Sequence, residues 1–166
     1  IQYRSTQFET LFNQAPIGIY LVDADFRLRE VNPVARAVFG ELPDLVGRDF
    51  DEVIHILWNQ TYADEVIKLF RHTLETGEPY DTHERYEYRV DRGRTESYQW
   101  RLDRIVLPDG RYGVVCYFRD ISTEVQARAR IAESEERYRG IVNQSVGAIV
   151  EADPTGRFIM VNDRMC

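Results

Sequence analysis

At 166 residues the chain is long enough for one well-packed domain with residues to spare. A hydrophobic fraction of 43%, with ten Tyr, eight Phe and two Trp, excludes a disordered tail and calls for a real core. The net charge of −7 and a pI near 5.0 argue against nucleic acid as a partner, because phosphate-binding surfaces concentrate Lys and Arg on one face and acidic residues interrupt every Arg cluster here.

In chain order, Phe8, Leu11 and Phe12 share one face at helical spacing and predict a short amphipathic helix, Phe8 to Asn13. Two strands follow. Ile17 to Val22 is an apolar run ended by Asp23-Ala24-Asp25, and Phe26 to Val31 returns with imperfect alternation, so the pair reads as a hairpin with a polar tip. From Pro33 the pattern is helical, with Val34, Val38 and Phe39 on one side and Gly40 as the stop. Asp51 to Ile56 and Tyr62 to Glu75 continue as helices, the longer one carrying Val66, Leu69, Phe70 and Leu74 and ending at Gly77 and Pro79.

Three strands come next, Glu84 to Val90, Glu96 to Val106 and Tyr112 to Arg119, joined by the turn sequences Asp91-Arg92-Gly93 and Pro108-Asp109-Gly110. Tyr98, Trp100 and Leu102 keep a period of two. Tyr112 to Phe118 is apolar almost throughout, which fits a strand buried on both faces or one facing a dimer partner. Asp120 to Val142 lacks Gly and Pro until Gly140 and has Asp120 or Ser122 available as an N-cap, so a long helix is expected there. Its near-heptad positions Ile121, Val125, Ile131, Tyr138 and Val142 are broken by Arg128 and Glu135, leaving a coiled coil and a solvated connector equally open.

The chain also repeats itself. At an offset of 130, residues 8–32 lie ungapped over 138–162: Asn13-Gln14 on Asn143-Gln144, Ile19 on Ile149, Asp23 on Asp153, Arg27 on Arg157, and Val31-Asn32 on Val161-Asn162. That period exceeds those of solenoids and marks a tandem of domains. The second copy stops after its first hairpin, so its apolar Ile149, Ile159 and Val161 are expected to be left exposed beside unpaired strand edges.

Two strands, several short helices, three strands and a terminal helix make an α+β fold with a five-stranded antiparallel sheet and helices on one face. In this order the chain resembles the PAS family of sensory domains. The resemblance is carried by FETLFNQAPIGIYLVDADFRLREVNPVARAVFG, TLETGEPY, YQWRLDRIVLPDGRYGVVCYF and the closing Asp120-Ile121-Ser122, and it covers nearly the whole chain. That last triplet is similar to the family's Asp-Ile-Thr transmission motif with Ser122 for Thr, which implies that Asp120, Ile121 and Ser122 tie the terminal helix to the core and relay its state. The division expected is an N-terminal amphipathic helix at 1–15, a PAS domain at 16–121, a connecting signalling helix at 122–142 and the truncated start of a second PAS domain at 143–166.

No HExxH, GxSxG, GxxxxGK[ST] or GxGxxG pattern occurs, and His55, His72 and His83 never pair at i, i+4 spacing, so neither catalysis nor a metal site is expected in this segment. Cys116 and Cys166 offer no disulfide framework. Without an apolar stretch long enough for a bilayer or a signal-peptide pattern at the start, the segment reads as soluble, cytoplasmic and without membrane contact. Among the cofactors a PAS resemblance allows, haem needs an axial His, for which His72 on the long helix is the candidate, and FAD needs an aromatic cavity, for which Trp58, Trp100 and Tyr117 are candidates. A surface role for His72 and plain packing for the tryptophans are the commoner outcomes, so no cofactor, or a small metabolite, ranks ahead of FAD and haem. By resemblance the parent is a sensor histidine kinase, working as a homodimer with its kinase or other output domain in the same polypeptide. The alternatives are the same module in a diguanylate cyclase or transcription regulator, and a ligand-free dimerisation scaffold.

Overall fold

The computed structural model of the protein describes residues 2–144 and 150–161. It divides into two compact units, Ile1–Ser122 and Thr123–Cys166. In the first, helix α1 (Gln2–Gln14) leads into the hairpin β1 (Gly18–Val22) and β2 (Leu28–Val31). Three helices follow, α2 (Pro33–Phe39), α3 (Phe50–Leu57) and α4 (Gln60–Thr76), and then the strands β3 (Tyr80–Arg89), β4 (Arg94–Val106) and β5 (Tyr112–Asp120). Helix α5 (Ser122–Gln144) and the hairpin β6 (Val150–Ala152) and β7 (Phe158–Val161) complete the chain.

Each helix of the middle segment starts where a side chain can satisfy its orphan amides. Asn32, Asp49 and Asn59 accept from the backbone N–H groups of Ala35, Glu52 and Tyr62, and they open α2, α3 and α4. Gly40 and Gly77 close α2 and α4, as expected from their positions in the sequence. Within α2 it is Ala35, not Val34, that turns inward beside Phe39. Val34 stays exposed because the Asn32 cap sets the helix phase one residue off the apolar pattern.

The sheet is antiparallel with strand order β2-β1-β5-β4-β3. Strand β5 is therefore central, which explains its nearly unbroken apolar run: it is buried from Gly113 to Cys116 on both faces. Tyr20, Cys116, Phe118, Tyr98, Trp100 and Leu102 point to the face that carries the helices, where Phe39, Phe50, Val53, Ile54, Leu57 and Phe70 meet them. Tyr20 is the hub of this layer, with its ring centroid 5.0 Å from Phe39 and 6.0 Å from both Phe70 and Phe118. Opposite Phe118 in the register stands Gly18, where a Cβ would lie 2.1 Å from the Phe118 ring, so any side chain there would displace the aromatic layer.

One side chain joins the elements of the first half. Asn32 is fully buried at the end of β2, and its Oδ1 accepts the N–H groups of Ile19 and Ala35, each at 2.9 Å. Its Nδ2 donates to the carbonyls of Ile17 at 2.9 Å and Phe12 at 3.2 Å. One carboxamide thus ties α1, the start of β1 and the first turn of α2.

The second unit reproduces the first hairpin. Tyr20↔Val31 and Val22↔Leu28 in β1–β2 correspond to Val150↔Val161 and Ala152↔Phe158 in β6–β7, with the register shift at the same place. Asp23 accepts from the N–H groups of Asp25 and Arg27 at 3.0 Å, and Asp153 accepts from those of Thr155 and Arg157 at 2.8 and 3.0 Å. Phe158 and Ile159 are exposed. The repeat positions Ile149 and Asn162 lie outside the described residues.

Asn32→Ala strips the acceptor from two backbone donors, each costing about 1–3 kcal/mol when left unpaired in the interior. The expected loss in urea unfolding is about 3 kcal/mol or more. Asn13→Ala, on an exposed position of α1, is expected to stay within about 0.5 kcal/mol of the parent chain.

Candidate functional site

Between the sheet and the helices α2, α3 and α4 lies a cavity of ≈ 40 Å³. Its wall is largely apolar, from Val38, Phe39, Ile54, Val66, Phe70 and Phe118, and its polar groups come from Tyr20, Tyr62, Glu87, Tyr98, Cys116 and the two tryptophans Trp58 and Trp100. The volume accommodates about three waters or a molecule of a few heavy atoms. Pockets for drug-sized ligands begin at roughly 300 Å³.

The polar wall is built on β3, which inverts the usual alternation. Glu87 and Arg89 turn inward and are buried, whereas Tyr86, Tyr88 and Val90 are exposed. Arg89 is held by a bidentate contact to Asp91, Nε to Oδ1 at 2.9 Å and Nη2 to Oδ2 at 2.8 Å, and donates to the Val38 carbonyl at the end of α2 at 2.7 Å. Its guanidinium lies 4.7 Å over the Trp58 ring, and an isolated bridge between Trp58 and Arg89 fixes the start of the segment after α3. Trp100, on β4, rests against Tyr80 with centroids 5.1 Å apart.

Glu87 receives the Tyr62 hydroxyl from the first turn of α4. Burial pushes the Glu87 carboxyl up to about 7, against the opposing pull of the Tyr62 hydroxyl and of Arg85 and Arg89. Burial likewise raises Tyr62, and the Glu87 charge adds to that. Arg85 lies 5.3 Å from the centre of the Tyr62 ring and forms a pair with Glu65 at 2.7 Å. Burial also pushes the Cys116 thiol up to about 12, which makes it a neutral hydrophobe at ordinary pH.

Two indole donors in the cavity wall are poorly met among the described residues. Trp58 Nε1 and Trp100 Nε1 are buried without a hydrogen-bond partner. Trp100 Nε1 lies near enough to Glu87 to favour its charged form but makes no well-aligned hydrogen bond to it.

Of the four side chains that sequence reasoning offered for a ligand, Trp58 and Trp100 line the cavity and His72 and Tyr117 do not. His72 stands at the exposed last turn of α4, 2.8 Å from the Glu78 carboxylate, because helix phase turns Thr73, not its neighbour, into the core. Tyr117 alternates with the inward Cys116 and Phe118 and so falls on the opposite face of the sheet. His55 and His83 are exposed as well, so none of the three histidines lines this cavity and the residues present do not fit a haem ligand set. Glu87 was missed, since a charged residue in a strand reads as solvent-facing, and Tyr62, in the first turn of α4, joins the site only through Glu87. The available signal was the Arg85-x-Glu87-x-Arg89 alternation, which puts three charges on one side of β3 and aromatic residues on the other.

The triplet Asp120-Ile121-Ser122 sits where β5 ends. Ile121 is buried and its N–H donates to the Ser97 carbonyl at 2.8 Å; the Ser97 N–H donates back to Ser122 Oγ at 2.8 Å. Asp120 Oδ1 accepts the Ser122 N–H at 2.9 Å, at the first turn of α5. On β4 the neighbour of Ser97 is Tyr98, a cavity residue whose hydroxyl donates to buried Glu96 at 2.5 Å. A single peptide link therefore separates the cavity wall from the clamp on α5.

The family described as PAS fold matches residues 12–126, and the family described as PAS domain matches residues 136–166. Among solved structures the chain is similar to the PAS domain of an HTR-like protein from Haloarcula marismortui, with 27% identity over 72% of this chain and 93% of that one and a TM-score of 0.52. It is similar in fold to Vibrio cholerae VqmA, with 19% identity, 72% and 52% coverage and a TM-score of 0.58, and so spans about half of VqmA's length. The PAS domain of Bordetella pertussis BvgS matches with 18% identity, 81% and 98% coverage and a TM-score of 0.58. No curated protein matches the chain.

The Glu87 shift carries a pH signature. Its folded pKa of about 7 lies above the carboxylate reference of 4.5, so the folded state binds the extra proton between those values. Its contribution to stability is therefore fully present below pH ~4.5 and is lost as pH rises through ~7. Comparing urea unfolding at pH 5 and pH 8, Glu87→Gln is expected to remove a fall of roughly 2 to 3 kcal/mol that the parent chain shows.

Proposed function

The chain belongs to the PAS family, and from that premise we propose that residues 16–121 form a sensory module whose cavity state is relayed through Asp120, Ile121 and Ser122 to α5. The observation that carries this is the clamp between Ser97 and the Ile121-Ser122 peptide, directly beside Tyr98 of the cavity wall. A ligand that prefers one placement of Tyr98 and Trp100 biases the Ser97 clamp, and with it the first turn of α5. The module itself carries no catalytic step.

In this reading the segment is part of a larger signalling protein, a sensor histidine kinase ahead of a diguanylate cyclase or a transcription regulator, with residues 143–166 beginning a second PAS domain. The match of residues 136–166 to the PAS domain family and the recurrence of the first hairpin support the tandem. Among the neighbours, VqmA is described as a LuxR-type receptor and as bound to DPO, which supports ligand-driven output from such a fold. A homodimer fits the exposed apolar side chains Phe8 and Leu11 on α1 and Ile131 and Tyr138 on α5, which a second copy would cover. Action in the cytoplasm is consistent with the buried free thiol of Cys116, and none of the described helices is long and apolar enough to cross a membrane.

Asp120→Ala removes a helix-end acceptor worth about 1 kcal/mol, so the domain is expected to remain folded. In the full-length protein the same change is expected to break the dependence of output on input, read as autophosphorylation or the corresponding output activity with and without stimulus. Normal stimulus dependence in that variant would remove the relay role.

A further inference from the structure

Resting on the sensory reading above, we infer that the cavity takes a small neutral molecule bearing a hydrogen-bond acceptor, a carbonyl oxygen or an unprotonated ring nitrogen, held by the indole N–H groups of Trp58 and Trp100. Both side chains are more than nine-tenths buried and both line the cavity; among the described residues Trp58 Nε1 has no acceptor, and Trp100 Nε1 lies near the Glu87 carboxyl without a well-aligned hydrogen bond to it. A buried donor left unpaired costs about as much as a hydrogen bond is worth, so two poorly met donors on side chains that line one cavity call for acceptor atoms. Indole has no lone pair to offer, so the demand is one-directional.

The rest of the wall narrows the charge. An anion would answer the indoles but would enter beside the Glu87 carboxyl within a largely apolar wall, where like charge and desolvation act together. A cation would suit Glu87 but would face two N–H dipoles of the wrong sign. A neutral acceptor meets neither penalty. The cavity of ≈ 40 Å³ holds the molecule to a few heavy atoms, and the walls of Phe39, Ile54, Val66 and Phe70 favour an apolar body behind the acceptor.

The chain contains only two tryptophans, so its two indole N–H resonances report on this site alone. The experiment is a titration of the 15N-labelled chain with acetone and, separately, with isobutene, which has nearly the same shape and no carbonyl. Expected is a saturable downfield shift of both indole protons with the ketone and at least tenfold weaker binding of the hydrocarbon. Trp58→Phe and Trp100→Phe, each removing one donor and keeping an aromatic ring, are each expected to weaken the ketone about tenfold while the remaining indole signal still shifts. Equal affinity for both probes would overturn the acceptor requirement and leave an apolar ligand cavity. Indole signals unmoved by either probe would overturn the ligand inference, water being then the acceptor, while the relay through Asp120 stands or falls separately on the output of Asp120→Ala.

Discussion

Four hydrogen bonds on one buried carboxamide set the geometry on which the domain depends. Asn32 joins the end of α1, the start of β1 and the first turn of α2. An amide is suited to this because it offers a donor and an acceptor at once and carries no charge to desolvate. The consequence reaches the cavity. The position of β1 fixes Tyr20, the phase of α2 fixes Val38 and Phe39, and the Val38 carbonyl is where Arg89 anchors the wall that holds Trp58.

That wall is made at a cost in local pattern. On β3 the charged residues turn in and the aromatic ones turn out, the reverse of what packing alone would select. Such an inversion is stable only because each inward charge is met: Arg89 by Asp91 and the Val38 carbonyl, and Glu87 by the Tyr62 hydroxyl. Glu96, buried one strand over, remains below the usual carboxylate range although burial opposes it, because Tyr98, Arg94 and Arg92 all donate to it. A fold that needed only a core would have no use for this arrangement. Departures from the local rule gather beside the cavity lined by Trp58 and Trp100, as expected where a site and not the core determines residue choice.

The architecture was legible in the sequence because it rests on period and punctuation. The helix stops at Gly40 and Gly77 and the turns at Asp91-Arg92-Gly93 and Pro108-Asp109-Gly110 follow from local pattern, and the element sequence they delimit gives five antiparallel strands, whereas the pairing of β1 with β5 is set only in the folded chain. The apolar run of β5 was readable as a doubly buried strand, and its central position between β1 and β4 accounts for it. The site was only half legible. Trp58 and Trp100 announce themselves as large aromatic residues, but whether an indole N–H finds an acceptor depends on side chains from β3 and α4 that meet only in the folded chain. His72 failed as a candidate for the same reason: its type suggested a ligand, and the phase of α4 put it at the surface.

The repeat separates what is local in this fold from what is imposed by it. Phe26 and Gly156 occupy the same place in the two hairpin turns, and both have positive φ, 62° and 85°. In glycine that conformation is nearly free of strain, whereas in Phe it is uncommon and costs of order 1 kcal/mol or more. The surroundings differ: Phe26 is buried against Phe50 at 5.5 Å and carries Arg71 at 4.1 Å over its ring, whereas Gly156 has nothing within reach of a Cβ. The turn is therefore set by what the two copies share, the aspartate that accepts from the amides two and four residues on. Burial of the Phe26 ring then offsets the strain in the first copy, and glycine makes that compensation unnecessary in the second.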